Sequence, residues 1–263
     1  MKIAALVMAH HRPDCLGRLL SRLQGELWSP YLHIDAKSDL APFSHLLRLV
    51  SPVTRRIPVY WGTFSQVEAT LLLLRQALDD RENTHFFTVT GQDYPIKADT
   101  EIGASIAEAN HGGNYITIRR MPTPDKPLSR LEKRYYSYLN PRIRKKVADA
   151  LPRRRVDRHL RGLQPFAGSA MWLFDRKAAS GMLDFVDRNP WYSMAFRHTH
   201  CPDEMFFQTL ARHLQLDIDG GCPTRSFWIQ GRRNPELITP AILKEIGGDW
   251  QFMARKFDRY YPS

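Results

Sequence analysis

The sequence has few cysteines, no long apolar run and a shortage of negative charge, and each absence narrows what the chain can be. Its three cysteines, Cys15, Cys201 and Cys222, are odd in number and widely spaced, which points to reduced thiols rather than a disulfide framework. The longest uninterrupted apolar run, Ile3 to Ala9, has seven residues, far below the roughly 20 that a membrane-spanning helix needs. It follows Met1-Lys2 but ends in Ala9-His10-His11-Arg12-Pro13, without a small-x-small cleavage site. It therefore reads as a buried first strand rather than a signal peptide, and a cytoplasmic protein is expected. There is no G-x-G-x-x-G or G-x-x-x-x-G-K-[ST] loop, which removes the common dinucleotide and P-loop readings.

What is present is a chain of 263 residues, 43% hydrophobic and 25% charged, the proportions of a folded protein with a full-sized core. Lys and Arg number 38 against 27 Asp and Glu, a net charge of +11. The excess is concentrated between Leu128 and Arg161, where twelve basic residues face only Glu132, Asp149 and Asp157. Such a stretch suits an anionic surface, an acidic ligand or a solvated helical face. Tyr135, Tyr136 and Tyr138 lie within it, but no recognisable reading module accompanies them, so no nucleic-acid partner is expected.

Strand and helix patterns alternate through the first half. Strands are expected at Lys2 to Ala9, Tyr31 to Asp35, Val59 to Trp61, His85 to Thr90 and Tyr115 to Ile118. Helices are expected at Pro13 to Leu23, at Phe64 to Leu78 with Thr63 or Ser65 as cap, and at Thr100 to Ala109. Beyond the basic stretch come a strand at Phe166 to Phe174, helices at Lys177 to Val186 and Asp203 to His213, and a strand at Arg225 to Ile229. This order predicts an open α/β sheet, with ligands outside the carboxyl ends of the strands. The segments to watch are then Ala9-His10-His11, His33 to Lys37, Gly91 to Pro95 and the neighbourhood of Gly168-Ser169.

Five phrases carry a family resemblance: His33-Ile34-Asp35-Ala36-Lys37-Ser38, Phe64-Ser65-Gln66-Val67-Glu68-Ala69, Gly91-Gln92-Asp93-Tyr94-Pro95-Ile96-Lys97, Cys201-Pro202-Asp203-Glu204 and Ala254-Arg255-Lys256-Phe257-Asp258. In this order, from about Lys2 to Asp258, they resemble the core-2/I-branching glycosyltransferases, which include β-1,6-N-acetylglucosaminyltransferases and peptide O-xylosyltransferases. The resemblance implies a single GT-A-type α/β domain with a central mixed, mostly parallel sheet flanked by helices. It also implies a UDP-sugar donor, inversion at the anomeric carbon, and no metal. Residues 1–118 would form the nucleotide-sugar half, 121–162 a basic insertion, and 163–263 the acceptor and catalytic half. Against the animal enzymes, the chain has few cysteines and no amino-terminal anchor, as a compact bacterial version would.

By the same resemblance, Glu204 is the general base that takes the acceptor's proton. The residues alone also allow Asp203 to cap a helix while Glu204 merely complements its dipole. Lys256 and Arg233 would meet the charge of the leaving diphosphate. Ala9, His10 and Asp35 would contact the nucleotide, with Trp61 stacking nearby. On the acceptor side Trp228 would pack on sugar. Arg119 and Arg120 stand where the animal branching enzymes carry an acidic residue, which suggests an anionic acceptor. Asp217-Ile218-Asp219 is a literal D-x-D, but it precedes Gly220-Gly221 and reads as turn chemistry. His198-Thr199-His200-Cys201 is too sparse for a zinc site. UDP-N-acetylglucosamine is the first expectation for the donor and UDP-xylose the second. The acceptor is expected to be a glycan or glycolipid, with residues 128–161 touching anionic membrane at its inner face. The competing readings are a divalent-metal glycosyltransferase using Asp217 and Asp219, and a non-enzymatic basic protein binding nucleic acid or anionic lipid.

Overall fold

The computed structural model describes every residue except 54, 137–140, 220, 230–233 and 263, and only the backbone of 141, 144, 145 and 247. Its strands are β1 (Ile3–Ala9), β2 (Trp28–Ile34), β3 (Ser51–Pro52), β4 (His85–Thr90), β5 (Asp93–Pro95), β6 (Tyr115–Ile116), β7 (Arg119–Arg120), β8 (Phe166–Ala167), β9 (Trp172–Asp175), β10 (Thr224–Ser226) and β11 (Met253–Arg255). The helices are α1 (Pro13–Arg22), α2 (Phe64–Asp79), α3 (Asp99–Ala107), α4 (Ser129–Glu132), α5 (Pro141–Ala150), α6 (Val156–His159), α7 (Arg176–Arg188), α8 (Pro190–Phe196), α9 (Phe206–His213) and α10 (Pro240–Glu245).

The main sheet runs β3-β2-β1-β4-β9-β6. β3, β2, β1 and β4 are mutually parallel, β9 is antiparallel to β4, and β6 is antiparallel to β9. This is the mixed, mostly parallel sheet flanked by helices that the sequence implies. β1 sits at its centre, and its unbroken apolar run is explained by burial on both faces. Ala4 and Leu6 point to a core shared with α2, α7, α8 and α9. Ile3, Ala5 and Val7 point to the opposite core, built on α1 and α3. A three-stranded sheet, β10-β11-β5, and a two-stranded one, β7-β8, complete the fold.

Four expected strands change. Val59 to Trp61 is not a strand, because side chains take the donors a ladder would need. The Val59 N–H donates to Asp35 Oδ1 at 3.2 Å and the Tyr60 N–H to Ser65 Oγ at 2.8 Å. The span Phe166 to Phe174 is broken into β8 and β9 at Gly168, which lies against the backbone of Thr117 so closely that a Cβ would sit 2.6 Å from the Thr117 carbonyl carbon. The same approach ends β6 early, so Tyr115 to Ile118 shrinks to two residues. Arg225 to Ile229 keeps only β10 as strand, and the helix expected from Asp203 begins at Phe206.

Candidate functional site

Two groups of candidate residues gather at the carboxyl ends of β1 and β2 and beside the turn before α9. In the first, Ala9 closes β1 and His10 and His11 follow, their rings stacked 4.0 Å apart. Ser38 Oγ donates to the His10 carbonyl at 2.7 Å, joining this loop to the one after β2. Asp35 lies there, largely buried. It accepts from the Lys37 N–H at 2.9 Å and the Val59 N–H, and pairs with the Lys37 ammonium. Burial pushes the Asp35 carboxyl up, but the bonds from Lys37 and Val59 outweigh it and hold the group below its usual range. Its oxygens thus first shape the loop that carries Tyr60 and Trp61.

Lys256 joins this group from the C-terminal segment, close enough to act on the charge of both His10 and His11. Three contacts lash that segment down. Gln92 Nε2 donates to the Phe257 carbonyl at 3.0 Å, the Phe257 N–H returns a bond to the Gln92 carbonyl at 2.8 Å, and Arg12 pairs with Asp258. Arg255 pairs with the buried Asp93 at 3.3 Å. Partial burial, then the neighbouring Arg255, lowers the Lys256 pKa.

The second group surrounds Glu204. Pro202–Glu204 forms a 3-10 turn leading into α9, so Glu204 stands immediately before the helix. Asp203 is no cap: the residue before α9 is Met205, which makes no side-chain cap bond, and Asp203 Oδ1 is sealed from solvent with no hydrogen-bond partner among the described residues. Burial, and then the adjacent Glu204, push the Asp203 carboxyl up to about 7. Glu204 Oε2 accepts from Lys126 Nζ at 2.7 Å and from Arg130 at 2.6 Å. No described residue bonds Oε1. Lys126, itself only 7% exposed, also donates to the Gly168 carbonyl at 2.8 Å, while the Gly168 N–H donates to the Glu204 carbonyl at 2.9 Å. The bare backbone of Gly168 is therefore the strut on which the Glu204 backbone and the Lys126 ammonium both rest.

The groups meet through Gly62. Its carbonyl accepts from the Cys201 N–H at 3.0 Å, and its N–H donates to Gln66 Oε1 at 2.7 Å. Trp61, 61% exposed, presents its edge to His200 with ring centroids 5.7 Å apart. Trp61 thus stands between the Asp35 loop and the Glu204 turn. The Cys201 thiol is buried and pushed up to about 12, by burial first and then by Asp203 and Glu204, which leaves it protonated and inert at neutral pH.

The residues expected on the acceptor side divide. Arg119 pairs at 2.9 Å with Asp125, the neighbour of Lys126, and so reaches the Glu204 side. Arg120, next along the strand, points to the other face and lines a groove with Ile118, Phe166, Arg212 and Ile218 at the far end of α9. The structure does not bring it to Glu204. Trp228 is 62% exposed beyond β10. Arg233, with Arg232, lies outside the described residues. Asp219 extends the sheet edge by its backbone beside β6, and its Oδ1 accepts from the Gly221 N–H at 2.9 Å, while Asp217 bonds His111. Among the described residues no group of three or more His, Cys, Asp or Glu gathers to hold a metal ion.

The basic stretch is not one solvated face. Arg130 serves Glu204, and Arg154 is half-buried, donating to the carbonyls of Lys133 at 2.9 Å and His198 at 3.1 Å. Burial, then Arg134, lowers its pKa to about 10. Lys133 pairs with Asp149, Arg153 with Glu132 and Arg155 with Asp157. Sequence reasoning missed Lys126 and Arg130 as partners of Glu204, since the contacts span 78 and 74 residues and no local spacing encodes them.

Loops carrying His10, Asp35 and Lys256 gather at the carboxyl edge of the sheet, and a carboxylate is clamped before a helix, an arrangement that suits an α/β enzyme. Residues 6–229 match the family model for the Core-2/I-Branching enzyme, and the chain belongs to that family. It is 23% identical over 218 residues to a bovine β-1,3-galactosyl-O-glycosyl-glycoprotein β-1,6-N-acetylglucosaminyltransferase, across 80% of this chain and 48% of the relative. The human enzyme of the same name is 24% identical over 217 residues, with the same coverage. The chain spans about half the length of these curated relatives. Among solved structures, apo mouse xyloside xylosyltransferase 1 aligns over 88% of this chain and 89% of its own, at 12% identity and a TM-score of 0.40. S. aureus TarS 1–349 in complex with UDP-GlcNAc aligns over 47% of this chain and 37% of its own, at 16% identity and a TM-score of 0.31. These scores are too low to bear on fold or ligand.

Proposed function

We propose that this chain is an inverting glycosyltransferase that moves a sugar from a UDP-sugar to a hydroxyl of a glycan or glycolipid. N-acetylglucosamine is the first choice and xylose the second. The observation that carries this reading is the Glu204 carboxylate: one oxygen is held by Lys126 and Arg130, the other is bonded by no described residue, and Trp61 stands close by on the nucleotide-side loop. In the reaction Glu204 Oε1 accepts the proton of the attacking hydroxyl. The new bond to the anomeric carbon forms as the bond to the diphosphate oxygen breaks, and the electron pair leaves on UDP. Lys256 and Arg233 meet that charge without a metal. Lys126 and Arg130 fix the direction in which Oε1 points.

Acceptor contacts fall to Trp228 and Arg119, with Arg120 serving only an acceptor long enough to reach the groove at the end of α9. Peripheral contact with anionic lipid at a cytoplasmic membrane face would use the solvent-facing bases around Arg153 and Arg155, not Arg154. A thermal-shift screen against UDP, GDP, CMP and dTDP sugars tests the reading, because a ligand that binds the folded state raises its apparent stability. A shift with a UDP-sugar is expected. A shift only with another nucleotide's sugar, or with none, would contradict it.

A further inference from the structure

The stacked histidines after β1 have no role in the proton transfer at Glu204, yet they stand where the nucleotide-side residues converge. His10 faces Asp35 and Lys37 from the loop after β2, and Lys256 from the C-terminal segment. His11 faces His10, Lys256, Arg12 and Asp14. Of these, Lys37 is paired with Asp35, and Arg12 is held by Asp14 and Asp258. Lys256 has no ion-pair partner among the described residues, and its segment is tied by the Arg12–Asp258 pair to the loop that carries the stacked rings of His10 and His11, 4.0 Å apart. In the free protein partial burial, first, lowers the pKa of both rings. For His10 the opposing pull of Asp35 is outweighed, and for His11 the neighbouring His10, Lys256 and Arg12 add to the effect.

A diphosphate placed among these three groups reverses the balance, since an anion within a few ångströms favours the charged imidazole. We propose that His10 and His11 take up a proton when the diphosphate of the donor binds, and that the imidazolium so formed shares with Lys256 the charge of the leaving group. This deepens the reading above and rests on the donor being a nucleoside-diphosphate sugar. The sign follows. Below the free-state pKa of the rings no proton is gained on binding. Between the free and bound values binding draws a proton from solution, so affinity falls as pH rises through that window.

The test is titration calorimetry of the whole chain with UDP-N-acetylglucosamine, whose diphosphate diester does not itself titrate near neutrality. Runs in buffers of different ionisation enthalpy, from pH 6 to 8, count the protons. The expected result is uptake of roughly half to one proton per ligand near pH 7.5, with Kd weakening by up to about tenfold per pH unit. His10→Gln and His11→Gln, each checked for an unchanged melting temperature, should each reduce the uptake and flatten the pH dependence, an effect that a purely packing role would not produce. Binding with no proton uptake, or uptake unchanged in both variants, overturns the proposal and leaves the donor reading standing. Absence of binding overturns both.

Discussion

Replacing Gly168 by Ala perturbs the site through one methyl group. The added carbon would fall onto the Thr117 carbonyl group, 2.6 Å from its carbon, a separation that no side-chain rotation relieves because both partners are backbone. β8 must then move away from Thr117, carrying the Gly168 N–H off the Glu204 carbonyl and the Gly168 carbonyl off Lys126. Overpacking of this kind costs about 1–3 kcal/mol. The neutral bond is worth about 1 kcal/mol and the bond from the ammonium about 1.5–3 kcal/mol. A total of about 3.5–7 kcal/mol, at about 2 °C per kcal/mol in a chain of this size, corresponds to a melting temperature lower by roughly 7–14 °C. Gly181→Ala is the control: it lies in α7 with nothing within 4 Å of the new carbon, and it should gain about 0.5–1 kcal/mol. Differential scanning calorimetry of the two variants decides the matter. A Gly168→Ala protein that melts with the wild type would refute the close approach, and with it the strut beneath Glu204.

Asp203, whose folded-state pKa of about 7 lies above its ordinary 3.8, binds a proton more tightly folded than unfolded. Stability should fall between about pH 4 and pH 7, by at most about 4 kcal/mol, and Asp203→Asn should flatten that slope in urea titrations. Arg154→Gln breaks the bonds to the Lys133 and His198 carbonyls and should lower stability by about 2–4 kcal/mol. Arg155→Gln, which loses only an exposed pair with Asp157, should change the denaturation midpoint little. Turnover should persist in excess EDTA and in Asp219→Asn, whereas Lys256→Ala should lose donor binding and turnover together; abolition by EDTA would contradict the metal-free reading.

The elements legible in the sequence are those whose pattern is decided locally or by simple burial. β1 is visible as an apolar run because it is covered on both faces, and α2 because its period and its Thr63 cap agree. The boundaries that failed are set by contacts distant in sequence. Val59 to Trp61 has strand-forming residues, but its N–H groups are taken by Asp35 and Ser65. The split of β8 from β9 depends on Thr117, some fifty residues earlier, meeting a glycine. For the site, Ala9, His10 and Asp35 were reachable by the sheet-edge argument, whereas Glu204 and Lys256 were reachable only through the phrases that carry the family resemblance. Of the cations that hold Glu204, Arg130 was hidden within the charge-rich stretch, where composition cannot tell a paired base from a solvated one, and Lys126 lies just before that stretch with nothing local to mark it. Arg119 and Arg120 were indistinguishable as neighbours and are separated by the two-residue period of the strand that holds them.

The most direct measurement is the turnover of Glu204→Gln with a UDP-sugar and an accepted hydroxyl, with donor affinity measured on the same protein. The substitution keeps the shape of the side chain and removes its capacity to take a proton. The account predicts a fall in kcat of at least about 100-fold with donor Kd little changed. A glutamine variant that turns over at near the wild-type rate would contradict it.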